Sequence, residues 1–506
     1  MINSEKKSHY GIILLGFVFI LASFQLIFDF HKPVLKIWDE ASSATNAVQM
    51  LINKSYLSVT VSEMPDKEYD TLPPMNIWTK VIAYKLFGVN EFSVRLQSVI
   101  AALLTFLLFM YFSKKHLNEH YFAIFALLIA ATTIGFNGYH VARNGDPETL
   151  LILFTSLYFF STFLLLEEYP KGRNKYLFLT GLGIFMALFT KSVAGLVPLA
   201  GIIVYALFTR NTYQLLRDYR FHLTWIAVIA LLAVYYLTRN YFEPGYLDRS
   251  IFREMSLYHT FPYDPKHPEA TFYLKYLSSE AFFPFFYLIP LAIPAFFMAQ
   301  NQIQKKLILY SFSSGFFFIA IHSTSITKNE WYIAPVYPFI WSLLAVSLTS
   351  IVQYLLQPTA TLNRFLRGSL LIVLIVGLGY VVYLNYPVIY KTNQGYKTWT
   401  YDPEREGDLL RSIKGKTDKH SNIVIVSDQH PRQMLFYIKK YELERGDTTL
   451  ITKTISDELI GKKILVCRSS LKKAIDTLYQ YQKLDGDKYG SLLLIDSKKI
   501  PTQSLD

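Results

Sequence analysis

The feature that most constrains this chain is a succession of about eleven apolar runs, set apart by short charged connections, near residues 11–28, 92–112, 121–137, 148–166, 176–190, 193–209, 222–238, 281–299, 307–322, 332–350 and 368–385. At 1.5 Å per residue, a run of about 20 residues crosses the roughly 30 Å of a bilayer's hydrocarbon. Only helices satisfy their own backbone there without water, so the runs predict an all-α polytopic membrane bundle of about eleven transmembrane helices. Composition agrees: 52% of the 506 residues are hydrophobic and only 17% charged, which excludes an ordinary soluble domain. The net charge of +12 would suit nucleic acid, but Lys and Arg fall in clusters between the apolar runs, which points to membrane topology and not to a nucleic-acid partner. The single cysteine, Cys467, excludes an internal disulfide and a Cys-based metal site, and its apolar setting predicts a small buried side chain.

Lys6 and Lys7 before the first run place the N-terminus in the cytoplasm. Lys114 and Lys115; Lys171, Arg173 and Lys175; Arg210, Arg217 and Arg220; Lys305 and Lys306; and Arg364 and Arg367 then fall on that side. The long connections 30–91 and 240–280 and the tail after 386 fall outside. The tail is charged, with short apolar segments. Asn422–Val426, Lys463–Cys467 and Ser491–Ile495 read as strands, and Gln433–Tyr441 and Leu471–Gln482 as helices. The expected organisation is a membrane domain over 1–386 and a small α/β domain over 387–506.

The outer connections hold the reactive side chains. Lys36-Ile37-Trp38-Asp39-Glu40 follows the first run and puts two adjacent carboxylates at the lipid boundary, where like charge and partial desolvation make them costly neighbours. Asp39 is placed to cap a helix whose apolar face, Ala44, Ala47, Val48, Leu51 and Ile52, would lie on the membrane surface. Asp70 precedes Pro73-Pro74 and a second helix containing Met75 and Trp78. Arg143 and Asp146 occupy the next outer turn, with Asp146 placed to cap the fourth span and Glu148 in its first turn. Arg143 can grip a phosphate bidentately or snorkel to head groups. Lys191 lies between two runs as a candidate anion ligand. Lys328 and Tyr332 are candidate phosphate donors, with Trp331 and Tyr332 equally suited to anchoring at the interface. Arg249, Arg253, His259 and His267 add to this face.

No Gly-rich phosphate loop, His-Glu-x-x-His or nucleophile elbow occurs. Nucleotides are scarce outside the cell membrane, so a transferase working there needs an activated donor carried in the lipid. A sugar on a polyprenyl phosphate fits: its phosphate leaving group needs cations rather than a strong acid, and the acceptor hydroxyl needs a base.

In order and spacing, several marks together resemble the GT-C superfamily of polyprenyl-phosphate-sugar-dependent glycosyltransferases, in particular the bacterial branch similar to aminoarabinose (lipid A) transferases and protein O-mannosyltransferases. They are Trp38-Asp39-Glu40, Pro73-Pro74 with Trp78, Phe87 through Leu96, Arg143 through Asp146, Thr190 through Gly195, and Tyr332 through Pro338, within about residues 10–350. The resemblance implies that Asp39 is the catalytic base or orients the acceptor hydroxyl in an inverting displacement, with Glu40 as its partner. It implies that Arg143, Asp146 and Lys191 belong to the substrate site, Lys191 toward the lipid phosphate. In the aminoarabinose branch an acidic residue and a lysine commonly precede the two prolines; here Thr71 and Leu72 stand there, and Asp70 is one place removed.

The implied partners are a polyprenyl-phosphate-linked sugar, an envelope acceptor such as lipid A, protein or glycan, and membrane lipids. No cofactor is required by this reading, although Asp39, Glu40, Asp70 and His259 would make a hard-metal site for a divalent ion if folded together. The competing class is a transporter or flippase of an anionic lipid-linked sugar, which would place charges near the midplane of broken helices. A membrane-anchored interaction protein with the tail as its working part would leave the outer charges unexplained.

Overall fold

A computed structural model describes residues 2–36, 38–57, 71–258, 269–358, 362–393, 402–416, 423–427, 432–446, 449–486 and 490–499. They form two compact units. The first comprises 1–30, 70–76 and 95–394; the second comprises 31–69, 77–94 and 395–506.

Among the described residues, eight helices are long and apolar enough to cross a membrane: Tyr10–Ile27, Glu91–Leu117, Glu148–Glu168, Arg173–Gly195, Tyr219–Phe242, Gln302–Thr324, Glu330–Leu356 and Arg364–Lys391. The other three apolar runs are also helical but not single spans. Tyr121–Thr132 and Leu199–Leu207 are too short to cross alone, and Phe272–Ala281 with Phe285–Met298 is bent by 108°. Each apolar run is therefore helical, whereas proline and local packing decided which run straight through. Pro284 and Pro290 fall at the bent pair, where missing N–H donors break the helical ladder.

Aromatic rings fill the interior of the first unit. Phe112 and Phe160 lie 4.4 Å apart, Phe109 meets Phe160 edge-on at 4.9 Å, and Trp341 meets Phe136 at 4.9 Å. Such pairs add about 0.5–1.5 kcal/mol beyond their buried area. The Trp341 indole N–H is satisfied by Thr133 Oγ1 at 3.1 Å, so its burial leaves no polar cost. At Gly201 a Cβ would run into the Ser313 backbone, whose hydroxyl donates to the Gly201 carbonyl at 2.8 Å; a side chain here would push two helices apart.

The second unit is built on a five-stranded sheet, β1 Ile423–Val426, β2 Thr449–Thr452, β3 Lys463–Val466, β4 Tyr479–Gly486 and β5 Ser491–Lys498. Their order is β2-β1-β3-β5-β4, parallel among the first three and antiparallel at β5 and β4. The expected helix over Leu471–Gln482 ends at Leu478. Tyr479 and Tyr481 pass into β4 instead, where aromatic side chains fit the pleated surface against β5.

The Asp39–Asn53 helix does not lay its apolar face on lipid. Ala44, Ala47, Val48 and Met50 are buried in one cluster with Met434, Tyr437, Ile438 and Tyr441 of the Arg432–Arg445 helix. Gln433 Nε2 donates to the Leu35 carbonyl at 2.7 Å, Thr45 Oγ1 to the Arg432 carbonyl at 3.2 Å, and Tyr437 Oη to Glu91 Oε1 at 2.9 Å. Tail residues thus clasp the segment that leads into Asp39. Cys467 is half-buried against the same cluster.

Candidate functional site

The first unit holds a cleft of about 570 Å³ lined by charged and aromatic groups. Lys191, the last residue of the Arg173–Lys191 helix, reaches the carboxylate of Glu148, the first residue of the Glu148–Glu168 helix, and the two are hydrogen bonded. The Glu148 side chain is 1% exposed and that of Lys191 14%. Its other oxygen, Glu148 Oε2, is buried without a hydrogen-bond partner. The Lys191 ammonium also lies 4.8 Å from the centre of the Tyr332 ring, a cation–π distance. Arg253, His322, Ser325, Trp331 and Leu72 complete the wall.

These side chains are held by local chemistry. The chain after Lys191 breaks its helix at Ser192, whose φ of 48° with ψ of −136° lies outside the regular left-handed well. Arg253, on the Tyr246–Tyr258 helix, donates to Thr71 Oγ1 at 3.1 Å, while Ser250 Oγ and Tyr246 Oη both donate to the Thr71 carbonyl, at 3.0 and 3.1 Å. Glu243 ties that helix to the preceding one by pairing with Arg239 and Arg249. Lys328, 1% exposed, donates to the Ser325 carbonyl at 2.6 Å, so it stands one contact behind the cleft wall. Burial lowers its pKa, and Glu269 opposes that shift.

Asp146 sits behind the wall as well. Its Oδ2 is 3.1 Å from His140 Nδ1, both residues are fully buried, and the His140 ring stacks on Trp331 at 3.8 Å. Asp146 does not cap the Glu148–Glu168 helix, whose N-cap position is Pro147; its acceptor is turned to the imidazole instead. His140 has φ of 67°, a conformation uncommon outside glycine. Arg143 donates to the Gln25 and Phe28 carbonyls, at 2.5 and 2.7 Å, at the C-terminal end of the first helix. That end carries unsatisfied carbonyls, which a guanidinium answers well. Burial and the neighbouring Arg95 bring the Arg143 pKa down to about 10, against the pull of Asp29.

Asp39 and Glu40 belong to the second unit. Asp39 is the first residue of its helix rather than the cap; Trp38 holds the N-cap position, makes no side-chain capping bond, and has φ 78° and ψ −121°. A residue held there costs of order 1–3 kcal/mol, and such strain concentrates where a neighbour must be aimed. Glu40 is completely buried and its Oε2 accepts from the Lys36 N–H at 2.6 Å, so it braces the turn; Asp39 is partly exposed. Asp70, His259 and His267 lie outside the described residues.

Of the residues singled out in the sequence, Lys191 and Tyr332 line the cleft, with Lys328 and Asp146 behind its wall. Arg143 bonds to the first helix. His322 was not singled out, Glu148 only as an acid in the first turn of its helix, Trp331 only as an interface anchor, and Arg253 only as one of a group. Glu148 carried the one available signal, an acid opening an apolar run in the same outer turn as Arg143 and Asp146.

A bundle of apolar helices whose cleft gathers Lys, Arg and Glu, joined to a small strand-containing domain, defines an integral membrane protein with the fold of GT-C glycosyltransferases. Residues 71–242 match the family described as dolichyl-phosphate-mannose-protein mannosyltransferase. The structure superposes on ArnT from Cupriavidus metallidurans bound to undecaprenyl phosphate with a TM-score of 0.65, at 15% identity, covering 96% of this chain and 98% of that one. It also matches the apo Archaeoglobus fulgidus oligosaccharyltransferase, with a TM-score of 0.51 and 12% identity over 88% of this chain and 65% of that one. Two uncharacterized proteins of Aquifex aeolicus are each 24% identical, over 64% and 78% of this chain. The chain spans 62% of the first of these relatives and 82% of the second.

Proposed function

We propose that the protein transfers a sugar from a polyprenyl-phosphate donor to a hydroxyl or phosphate of an envelope acceptor, on the outer face of a bacterial cytoplasmic membrane. The observation that carries this reading is the cleft: a lysine and an arginine beside a buried carboxylate and an aromatic ring, at the ends of membrane helices, suit the phosphate of a lipid-borne donor. The fold match to an enzyme holding undecaprenyl phosphate supports the same donor class.

For a hydroxyl acceptor, the oxygen attacks the anomeric carbon as the bond from that carbon to the phosphate oxygen breaks. The electron pair leaves on the phosphate, where Lys191 and Arg253 stabilise the charge. The hydroxyl proton passes to Asp39, and configuration at the carbon inverts. Glu40, fixed on the Lys36 N–H, positions Asp39 through the shared helix start. Divalent-metal dependence is part of the proposal to be tested by chelation and metal addition; hard oxygen donors at Asp39 suit such an ion.

The test is transfer of radiolabel from a panel of polyprenyl-phosphate sugars to envelope extract by purified protein, wild type against Asp39→Asn. Loss of transfer with donor binding kept supports Asp39 as the base. Failure of the wild type to consume any donor would remove the glycosyl-transfer reading and send the work to flux assays in vesicles.

A further inference from the structure

A second cavity of the first unit lies at the other end of the same helices. It is lined by Leu165 and Leu166 near the end of the Glu148–Glu168 helix, by Leu177 near the start of the next, and by Ile202, Leu216 and Trp225. Its lining runs from Ile184, seven residues before Lys191 on one helix, to Leu165, 17 residues after Glu148 on the other, so the cavity extends from roughly 10 to roughly 25 Å from the Lys191 cleft along the helix axes. Its empty space, open mouth included, is about 910 Å³, and its lining is apolar with no charged side chain. Ile203, Leu207 and Leu216 at its margin are themselves more than half exposed, so the space opens sideways rather than being sealed in the bundle.

Its rim has the opposite character. The connections over 169–175 and 208–220 carry Lys171, Arg173, Lys175, Arg210, Arg217 and Arg220 with Asp218, while Glu167 and Glu168 at the adjoining helix end are paired with Lys306 and with His116. Asp218 is taken by Arg173 at 3.1 Å. Arg220 donates to Asn174 Oδ1 at 3.2 Å, and Arg217 lies over the Tyr213 ring at 4.0 Å, exposed to solvent. Arg217 and Arg220 adjoin the lining residues Leu216 and Phe221 in sequence, so both cations belong to the segment that forms this end of the chamber. Basic pockets between membrane helices of this construction hold anionic lipid head groups.

We propose that this cavity holds one acyl chain of an anionic phospholipid, with the head-group phosphate resting on Arg217 and Arg220. The charge excess selects the head group and the apolar chamber takes the chain. The lipid is a resident of the fold, independent of the donor bound in the other cleft.

The test uses the full-length protein in detergent, with phosphatidylglycerol and phosphatidylcholine of the same chain length as probes. Native mass spectrometry reads retained lipid, and the thermal midpoint reads its effect. Phosphatidylglycerol should be retained and raise the midpoint more than phosphatidylcholine does. The doubly substituted Arg217→Gln, Arg220→Gln protein should retain it roughly tenfold less well or worse, from two head-group cations lost. Ala206→Phe, which fills the chamber and leaves the rim intact, should lose retention of both lipids. Equal retention of the two lipids, retention unchanged in both variants, or displacement of phosphatidylglycerol by a polyprenyl phosphate from this chamber would overturn the proposal. Because no donor turnover is read, the outcome is separate from that of the glycosyl-transfer test.

Discussion

Replacing Lys191 by Met separates two roles that the Lys191–Glu148 pair allows. If the lysine is only the counter-ion of Glu148, its loss is a stability event. The Glu148 side chain is 1% exposed and, among the described residues, already has one oxygen without a hydrogen-bond partner, so removing the ammonium leaves a buried carboxylate without its direct counter-ion. Breaking a buried pair in this way costs about 3–5 kcal/mol. The lower end applies here, because Lys191 is 14% exposed and water at the cleft screens part of the interaction. Glu148→Gln should cost less, about 1–2 kcal/mol, since the amide oxygen still accepts from the ammonium. The double variant removes both charges and should return to within about 1 kcal/mol of wild type, giving a coupling of about 3–5 kcal/mol in the cycle.

Donor binding should follow a different pattern. If Lys191 also contacts the donor phosphate, Lys191→Met and the double variant both lose a charged hydrogen bond worth about 1.5–3 kcal/mol, or roughly 10- to 100-fold in affinity. Thermal unfolding in detergent reads the first quantity, and equilibrium binding of a labelled polyprenyl phosphate reads the second. Recovery of both stability and binding in the double variant would refute a phosphate contact. An unchanged midpoint in Lys191→Met would refute the buried pair itself.

Tyr437→Phe removes a hydroxyl that donates to Glu91 and accepts from the Leu35 N–H at 3.4 Å; we expect about 1 kcal/mol of lost stability and a fall in turnover with donor affinity unchanged, measured by transfer kinetics. Gly201→Val should be among the most damaging single changes in the bundle, because the new side chain meets the Ser313 backbone rather than a movable side chain; a midpoint within a degree of wild type would show that the two helices can part freely. Glu119 accepts from the Tyr121 and Phe122 N–H groups at 2.7 and 2.6 Å, yet burial dominates and lifts its pKa to about 7. A carboxyl raised in the folded state contributes stability below its unfolded pKa, near 4.5, and loses it as pH rises through about 7. The midpoint should therefore decline between about pH 4.5 and 7, and Glu119→Gln should flatten that decline; an equal slope in the variant would discount Glu119 as the source.

The helices were legible because their signal is local: apolar length marks a span whatever it packs against. What could not be read was which runs bend, since Pro284 breaks a ladder only in concert with its neighbours, and the 121–137 and 193–209 runs end early as helices of 12 and 9 residues. Lys191 and Tyr332 were legible as charges and rings at apolar boundaries, where they need a reason to exist. Glu148 was read as an acid favouring a helix start, because its partner lies 43 residues away and pairing at that distance leaves no trace in spacing. The Asp39–Asn53 helix shows the same limit from the apolar side. Its periodicity correctly gave a buried face, but Ala44 and Val48 would suit lipid or protein alike, and only the structure supplies the Arg432–Arg445 helix as the cover.

That cover gives the tail a physical role in the proposed chemistry. A base must be held near its acceptor within fractions of an ångström, and a loop start at a membrane surface is a poor place to achieve this alone. Here the entry to Asp39 is fixed by Gln433 on the Leu35 carbonyl, by Tyr437 at the Leu35 N–H, and by Glu40 on the Lys36 N–H, after which Trp38 takes a strained backbone conformation. Strain of that size persists only where surrounding bonds over-determine it, and the bonds that do so come largely from a helix some 400 residues away. Removing Gln433 and Tyr437 together should therefore release the Trp38 turn while leaving the Lys191 cleft able to bind donor. Loss of transfer with donor affinity retained is the expected result, and loss of both would mean that the tail supports the whole membrane unit rather than the acid-bearing turn.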